Sequence, residues 1–266
     1  MNQNINFNPL PGGLWPVMIT PFKENFEIDL NGLKQLTEFY LNAGAKGLFA
    51  NCLSSEMFEL SSEERLKLIK TVTDTVAGLI PVVATGTFGN DLNNNTEFIK
   101  KVYDCGVDAV VININQLANK NDDESSLKKA LEHIMKQTDK IPLGTYECPV
   151  PYKRLLSPGF MQWLADTGRF LYHKDTSCDI IELKQKIHSV KNSLLGIYNA
   201  HTPTAILSLK NGARGLSPIG ANFFPELYDF LISKYQENQH KEEISNLSAV
   251  LNLIDPILHR FYPASA

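Results

Sequence analysis

Short apolar runs alternate with amphipathic stretches along this chain, recurring about every thirty residues, which is the signature of βα repetition. Apolar segments at 14–19, 47–50, 79–86, 108–114, 141–146, 170–174, 193–198 and 215–217 read as strands. The stretches between them read as helices. Asp29 caps the first, whose Leu33, Leu36, Phe39 and Tyr40 share one face. Ser61 and Glu64 form a capping box that opens the second, which runs to about Val76. Further helices are expected over 94–105, 123–138, from Pro158, and over 178–190, 203–211 and 224–235. Eight strands and eight helices in strict order predict the α/β class, a closed parallel (β/α)8 or TIM barrel. In the tail, Ile244, Leu247, Leu251 and Ile254 at helical spacing, with Pro256 placed to kink them, predict a short C-terminal helical extension packed on the barrel. The expected division is residues 1–235 for the barrel with its catalytic site and 236–266 for the extension.

Composition narrows the partners rather than the fold. Across 266 residues, 43% are hydrophobic and 20% charged, enough for a sizeable core. A net charge of -4 and a pI near 5.9 give no electrostatic reason to expect nucleic acid or an anionic membrane. The N-terminal residues lack a basic region followed by an apolar one, and no run is long enough to span a bilayer, so a cytoplasmic protein is expected. Four cysteines form no CxxC pair and six histidines no HxxxH or HExxH spacing. No metal site is expected, and the cysteines read as isolated buried thiols in a reducing cytosol.

The candidate chemistry centres on residues 169–177, where an apolar segment runs into Lys174 and then an Asp-Thr-Ser turn. A lysine at the inner end of a buried strand loses hydration. Its pKa then falls from about 10.4 toward roughly 7 to 8, where the free amine attacks a carbonyl. A lysine snorkelling to solvent from the strand end is the competing reading. Strand ends of such a barrel converge on one mouth, which also gathers Thr20, Ser54, Tyr146 and His201. Strand alternation turns His173 the other way, into the helix layer.

Separated motifs stand in order along the chain: Thr20-Pro21-Phe22; Leu60-Ser61 through Glu64-Arg65; Tyr146-Glu147-Cys148-Pro149; His173-Lys174-Asp175-Thr176-Ser177; and Gly212-Ala213-Arg214-Gly215 running to Pro225-Glu226. With these the chain resembles the dihydrodipicolinate synthase and N-acetylneuraminate lyase family of Schiff-base (β/α)8 barrels, which has YNVP at the third motif and IKDSS at the fourth. The resemblance implies that Lys174 forms the imine and Tyr146 moves protons. Ser54, Ser55, Thr20, Ser217, Asn113 and His201 are the candidate substrate contacts. It implies no cofactor, a 2-oxo acid substrate with pyruvate as donor or product, and a homo-oligomer, tetramer or dimer.

Departures from the family pattern modify those expectations. Where the family has GTTGE, this chain has Cys52-Leu53-Ser54-Ser55-Glu56. Ser54 and the Ser55 amide retain the means to hold a carboxylate, but Leu53 cannot relay a proton as the family's first hydroxyl does. The segment after the fourth strand, Asn113 to Asn119, lacks the synthases' second tyrosine. The exit of the fifth strand lacks their arginine in register, leaving Lys153 or Arg154 to supply charge. Asn113, Asn115 and Gln116 suit hydroxyl groups of a sugar-acid-like substrate, or equally cap a loop. His201 reads as an acid-base or hydrogen-bonding group, or as a helix cap. The expected activity is a class I lyase or aldolase. A dihydrodipicolinate synthase or 2-oxo acid dehydratase, and a non-catalytic 2-oxo acid binder, are the alternatives.

Overall fold

The computed structural model describes residues 7–237 and 240–266. Residues 1–6, part of the segment read as lacking a signal, and residues 238–239 of the extension lie outside the described residues.

Eight parallel strands form the sheet: β1 (Gly13–Leu14), β2 (Leu48–Asn51), β3 (Val82–Thr85), β4 (Ala109–Asn113), β5 (Leu143–Tyr146), β6 (Phe170–Asp175), β7 (Gly196–Asn199) and β8 (Gly215–Leu216). Their order is β1-β8-β7-β6-β5-β4-β3-β2. The two ends meet through the parallel bridge Val17 to Phe49 and the hydrogen bond from Phe49 N–H to the Pro16 carbonyl oxygen, so the barrel closes. The first strand is shorter than the pattern predicts because Pro16 has no N–H to continue the ladder. Gly215 permits the tight β1–β8 approach, since a Cβ there would sit 2.2 Å from the Gly13 carbonyl oxygen.

Helices α1 (Leu30–Asn42), α2 (Ser62–Val76), α3 (Leu92–Asp104), α4 (Glu124–Gln137), α5 (Pro158–Asp166), α6 (Ile180–Ser189), α7 (Ala205–Lys210) and α8 (Pro225–Gln236) follow the strands in turn. Asp29 caps α1, and Ser61 with Glu64 forms the expected box at α2. On α1, however, Phe39 is exposed and Thr37 takes its buried place, its hydroxyl satisfied by the Leu33 carbonyl oxygen. Leu79, expected in the third strand, is 74% exposed, and β3 begins only after Pro81.

Two cores result. One lies between strands and helices, built from residues such as Leu33, Val72, Ile112, Leu131 and Ile197. The other fills the barrel with rings: Trp15, Phe49, Tyr146, Tyr172 and Tyr198, with Tyr172 stacked on Tyr198 at 4.5 Å between centroids. Helix α9 (Lys241–Leu258) packs against α8 through Leu251, Ile244, Leu247 and Ile254 and carries Pro256 inside it. The chain then returns toward the barrel mouth, where Tyr262 and Pro263 line a cavity.

Candidate active site

Strand register decides which way each reactive side chain points. Between β5 and β6 the pairing shifts, Leu143 facing Phe170 but Gly144 facing Tyr172. Beyond this bulge Tyr146 pairs with Lys174. Tyr172 and Lys174 thus face the barrel interior, while His173 and Asp175 face α6, as alternation predicts for His173.

Lys174 is 3% exposed and opens onto a cavity of about 860 Å³ at the carboxyl end of the barrel. Its Nζ lies 4.6 Å from the Tyr146 ring centroid and 5.8 Å from that of Phe49. Among the described residues no carboxylate or hydrogen-bond acceptor pairs with it. Burial therefore pushes its pKa below the ordinary lysine value, the Cys52 and Cys148 thiols offsetting this only in part. The Tyr146 hydroxyl, whose pKa burial raises well above the phenol value, lies against the Cys148 thiol.

On the outer face of the same strands lies a buried ionic cluster that the sequence pattern did not reveal. Lys186 of α6 sits 2.5 Å from Glu147 Oε1 and 2.7 Å from Asp175 Oδ2. Glu147 also accepts the N–H groups of Leu156 and Thr176. Burial and the Asp175 charge push Glu147 up to about 7. Burial opposes ionisation of Asp175 too, but the Lys186 ammonium prevails and holds that carboxyl low. His173 is driven to about 3 by burial and by Lys186, so it is neutral, with Nδ1 bonded to Thr145 Oγ1 at 2.8 Å. Glu147, His173 and Asp175 are the one group of metal-ligand types brought together among the described residues, and Lys186 already bridges its two carboxylates. The cluster ties β5 and β6 to α6 directly behind Lys174.

The expected substrate contacts divide into two sets. Ser54, Tyr146, Lys174 and His201 line the cavity. Thr20, Ser55, Asn113 and Ser217 do not: the three hydroxyls are bonded to neighbouring carbonyl oxygens, and Asn113 is buried with its Oδ1 unpartnered among the described residues. Thr20 donates its hydroxyl to the Ser55 carbonyl oxygen at 2.8 Å. The Ser55 hydroxyl donates to the Met18 carbonyl oxygen and accepts the Cys52 N–H, while its amide donates to the Cys52 carbonyl oxygen. Ser217 donates to the Trp15 carbonyl oxygen, and Asn113 is fully buried beside Met57. These bonds supply the turn geometry that two glycines would otherwise give, with Glu56 at φ 55° closing it.

Asn115 staples the loop after β5, its amide donating to the carbonyl oxygens of Cys148, Val150 and Tyr152, whereas Gln116 reaches the cavity. Arg154 is turned away, donating to the carbonyl oxygens of Asn119 and Asp122. Lys153 lines the cavity instead. His201 lines it as well, its pKa lowered by burial and its Nδ1 3.2 Å from Thr204 Oγ1. The reading of four buried cysteines is corrected: Cys52 and Cys148 are buried, Cys105 is partly exposed and Cys178 is exposed. Tyr262 escaped the sequence reading altogether, because it follows the last periodic stretch and only the folded tail brings it to the mouth.

A closed parallel barrel with a desolvated lysine beside a tyrosine at its carboxyl end has the build of a Schiff-base enzyme. A family model described as "Dihydrodipicolinate synthetase family" matches residues 10–264. The chain belongs to that family, whose members are class I lyases acting through a lysine Schiff base with pyruvate.

Solved structures agree on the fold. Dihydrodipicolinate synthase from Bacteroides thetaiotaomicron is 24% identical, with 93% of this chain and 82% of that one covered at a TM-score of 0.84. The chloride-inhibited synthase from Acinetobacter baumannii, complexed with pyruvate, is 22% identical, with 94% and 83% covered and a TM-score of 0.83. YagE, a prophage protein of the dihydrodipicolinic acid synthase family from E. coli K12, also in complex with pyruvate, is 22% identical, with 93% and 82% covered and a TM-score of 0.84. No helix among the described residues is long and apolar enough to cross a membrane.

Proposed function

We propose that this chain is a cofactor-free lyase that cleaves or condenses a 2-oxo acid on Lys174, with pyruvate as donor or product. The observation that carries the reading is the Lys174 amine, buried, without a counter-ion among the described residues, and open to a cavity it shares with Tyr146. The free amine adds to the 2-oxo carbon, loss of water closes the C=N bond, and the protonated imine accepts the electron pair of the breaking C–C bond. Tyr146 moves protons at the reacting carbon. Ser54 meets the substrate carboxylate through its amide N–H, which has no acceptor among the described residues.

Two features favour a hydroxylated substrate over the dicarboxylate handled by a synthase. Arg154 is committed to backbone carbonyls, and the cavity is lined by Gln116, Glu56 and Glu59, with Asp255 beside His259 at 3.4 Å and Lys153 as a further basic group. The reading places the protein in the cytoplasm. It also includes self-association, which the family resemblance implies and which an exposed apolar stripe on α9 and the tail supports: Val250, Leu253, Ile257 and Phe261.

Intact-mass analysis after incubation with pyruvate and borohydride tests the chemistry. A pyruvyl adduct on the wild type that is absent from Lys174→Ala is expected. A folded wild type that takes no adduct refutes it. Adduct formation without cleavage of any hydroxylated 2-oxo acid would mark a binding protein instead. Light scattering should give a mass at least twice 29.8 kDa.

A further inference from the structure

Imine formation needs a proton for the hydroxyl that leaves the carbinolamine, and Tyr146 is poorly connected to any source of one. Its hydroxyl lies against the Cys148 thiol, itself pushed up by burial to about 11, and position 53 is a leucine. A second tyrosine lines the same cavity. Tyr262 is carried there by the tail beyond α9, its ring beside that of Phe223 at 6.3 Å between centroids.

The hydrogen bonds around Tyr262 have a direction. Its oxygen accepts from Asn222 Nδ2 at 2.7 Å and also meets the Ser54 side chain. Asn222 is fixed in orientation: Nδ2 donates in addition to the Val17 carbonyl oxygen at 2.9 Å, and Oδ1 accepts from the Tyr40 hydroxyl. The asparagine can therefore only donate to Tyr262. Tyr262 therefore keeps its own proton to give, Ser54 Oγ is within its reach as an acceptor, and Ser54 in turn lines the cavity with Lys174.

We propose that Tyr262, delivered by this chain's own tail, is a second catalytic-site tyrosine and relays protons through Ser54 to the centre where Lys174 forms its imine. The inference rests on the Schiff-base reading above. As the carbinolamine C–O bond breaks, Ser54 gives its proton to the departing oxygen, which leaves as water. The nitrogen lone pair closes the C=N bond, the Tyr262 proton moves to Ser54, and solvent at the mouth returns a proton to Tyr262. Hydrolysis of the imine runs the same transfers backwards. Burial disfavours a free phenolate at Tyr262, so the proton is replaced as it departs rather than afterwards. The tail thus completes the proton path within one subunit, although neither Leu53 nor the segment after β4 supplies a hydroxyl for it.

Rapid-quench borohydride trapping with pyruvate, read by intact mass, tests this on wild type, Tyr262→Phe, Ser54→Ala and the double variant. Tyr262→Phe removes one oxygen and keeps the ring. It is expected to slow adduct formation roughly 10- to 100-fold while leaving the end-point at saturating pyruvate and the urea midpoint unchanged. The ratio of its rate to that of wild type should fall with rising pH, because solvent must then donate directly while the free-amine fraction of Lys174 is common to both. The double variant should be no slower than Ser54→Ala, since both changes cut one path. A Tyr262→Phe rate and pH profile equal to wild type, or slowdowns that multiply in the double variant, would overturn the relay while leaving Lys174 chemistry intact. A wild type that is never trapped sinks the Schiff-base reading and the relay with it. Should Ser54→Ala fail to fold, the Tyr262→Phe rate and pH profile decide alone.

Discussion

Replacing Lys186 by methionine removes the one cation from a site that holds two carboxylates, all three side chains being at most 1% exposed. Methionine fills most of the aliphatic volume, so the packing loss is small and the electrostatic loss dominates. Breaking a buried ion pair by removing one partner costs roughly 3–5 kcal/mol, because the remaining charge is left uncompensated. For a chain of this size that corresponds to a Tm lowered by roughly 10 °C.

The pH dependence follows from the carboxyls. Glu147 already rises from 4.5 to about 7 in the folded protein, so the fold binds its proton more tightly than the unfolded chain does. Its contribution is fully present below the unfolded value and is lost as pH rises toward 7, a swing of about 3 kcal/mol. Asp175 behaves oppositely in the wild type: its carboxyl is held low, which stabilises the fold above the unfolded value and is lost in acid. Without Lys186 both carboxyls rise, and Asp175 no longer offsets Glu147. Lys186→Met is therefore expected to be destabilised most at pH 8 and to recover by roughly 1–2 kcal/mol at pH 5.5. Adding Glu147→Gln should recover stability at pH 8. Urea unfolding followed by the fluorescence of the buried Trp15 is the assay. A variant as stable as wild type at pH 8, or one that weakens further on acidification, would refute this account of the cluster.

Other expectations are simpler. Tyr146→Phe should lower turnover by roughly 100-fold or more with an unchanged circular dichroism spectrum; a loss under threefold would remove Tyr146 from the proton path. Because burial lowers the Lys174 pKa, the trapping rate should reach half its plateau below pH 10.5 as the free amine accumulates. A midpoint at the ordinary lysine value would mean the amine is solvated. Lys153→Ala should raise KM without shifting the urea midpoint, whereas Arg154→Ala should lower the midpoint by about 1 kcal/mol, since its guanidinium holds two loop carbonyls; equal effects would contradict the assignment. Ser61→Ala should cost about 1 kcal/mol through loss of the α2 cap, measurable in the same unfolding curves.

Much of the site was legible in advance because barrel topology maps strand ends to one mouth. Lys174, Tyr146, Ser54 and His201 follow from that rule and meet at one cavity. Thr20, Ser55 and Ser217 also end strands or lie just past them, yet their hydroxyls face neighbouring carbonyls. That choice depends on local backbone geometry no periodicity reports. The same holds for Arg154 and Lys153, adjacent in sequence and opposite in fate.

Periodicity and turn chemistry alone determined the eight-fold βα order, the caps of α1 and α2, and the inward lysine beside an outward histidine. These are local consequences of side-chain spacing and backbone valence. Tertiary structure decided what depends on distance through space. It placed Lys186 from α6 between Glu147 and Asp175, which no spacing rule links. It brought Tyr262 from beyond the last helix to the hydroxyl of Ser54, 208 positions earlier in the chain. Contacts so far apart in sequence form only when the barrel closes and α9 packs on α8, because only then does burial bring the groups together and remove the water that would otherwise satisfy them.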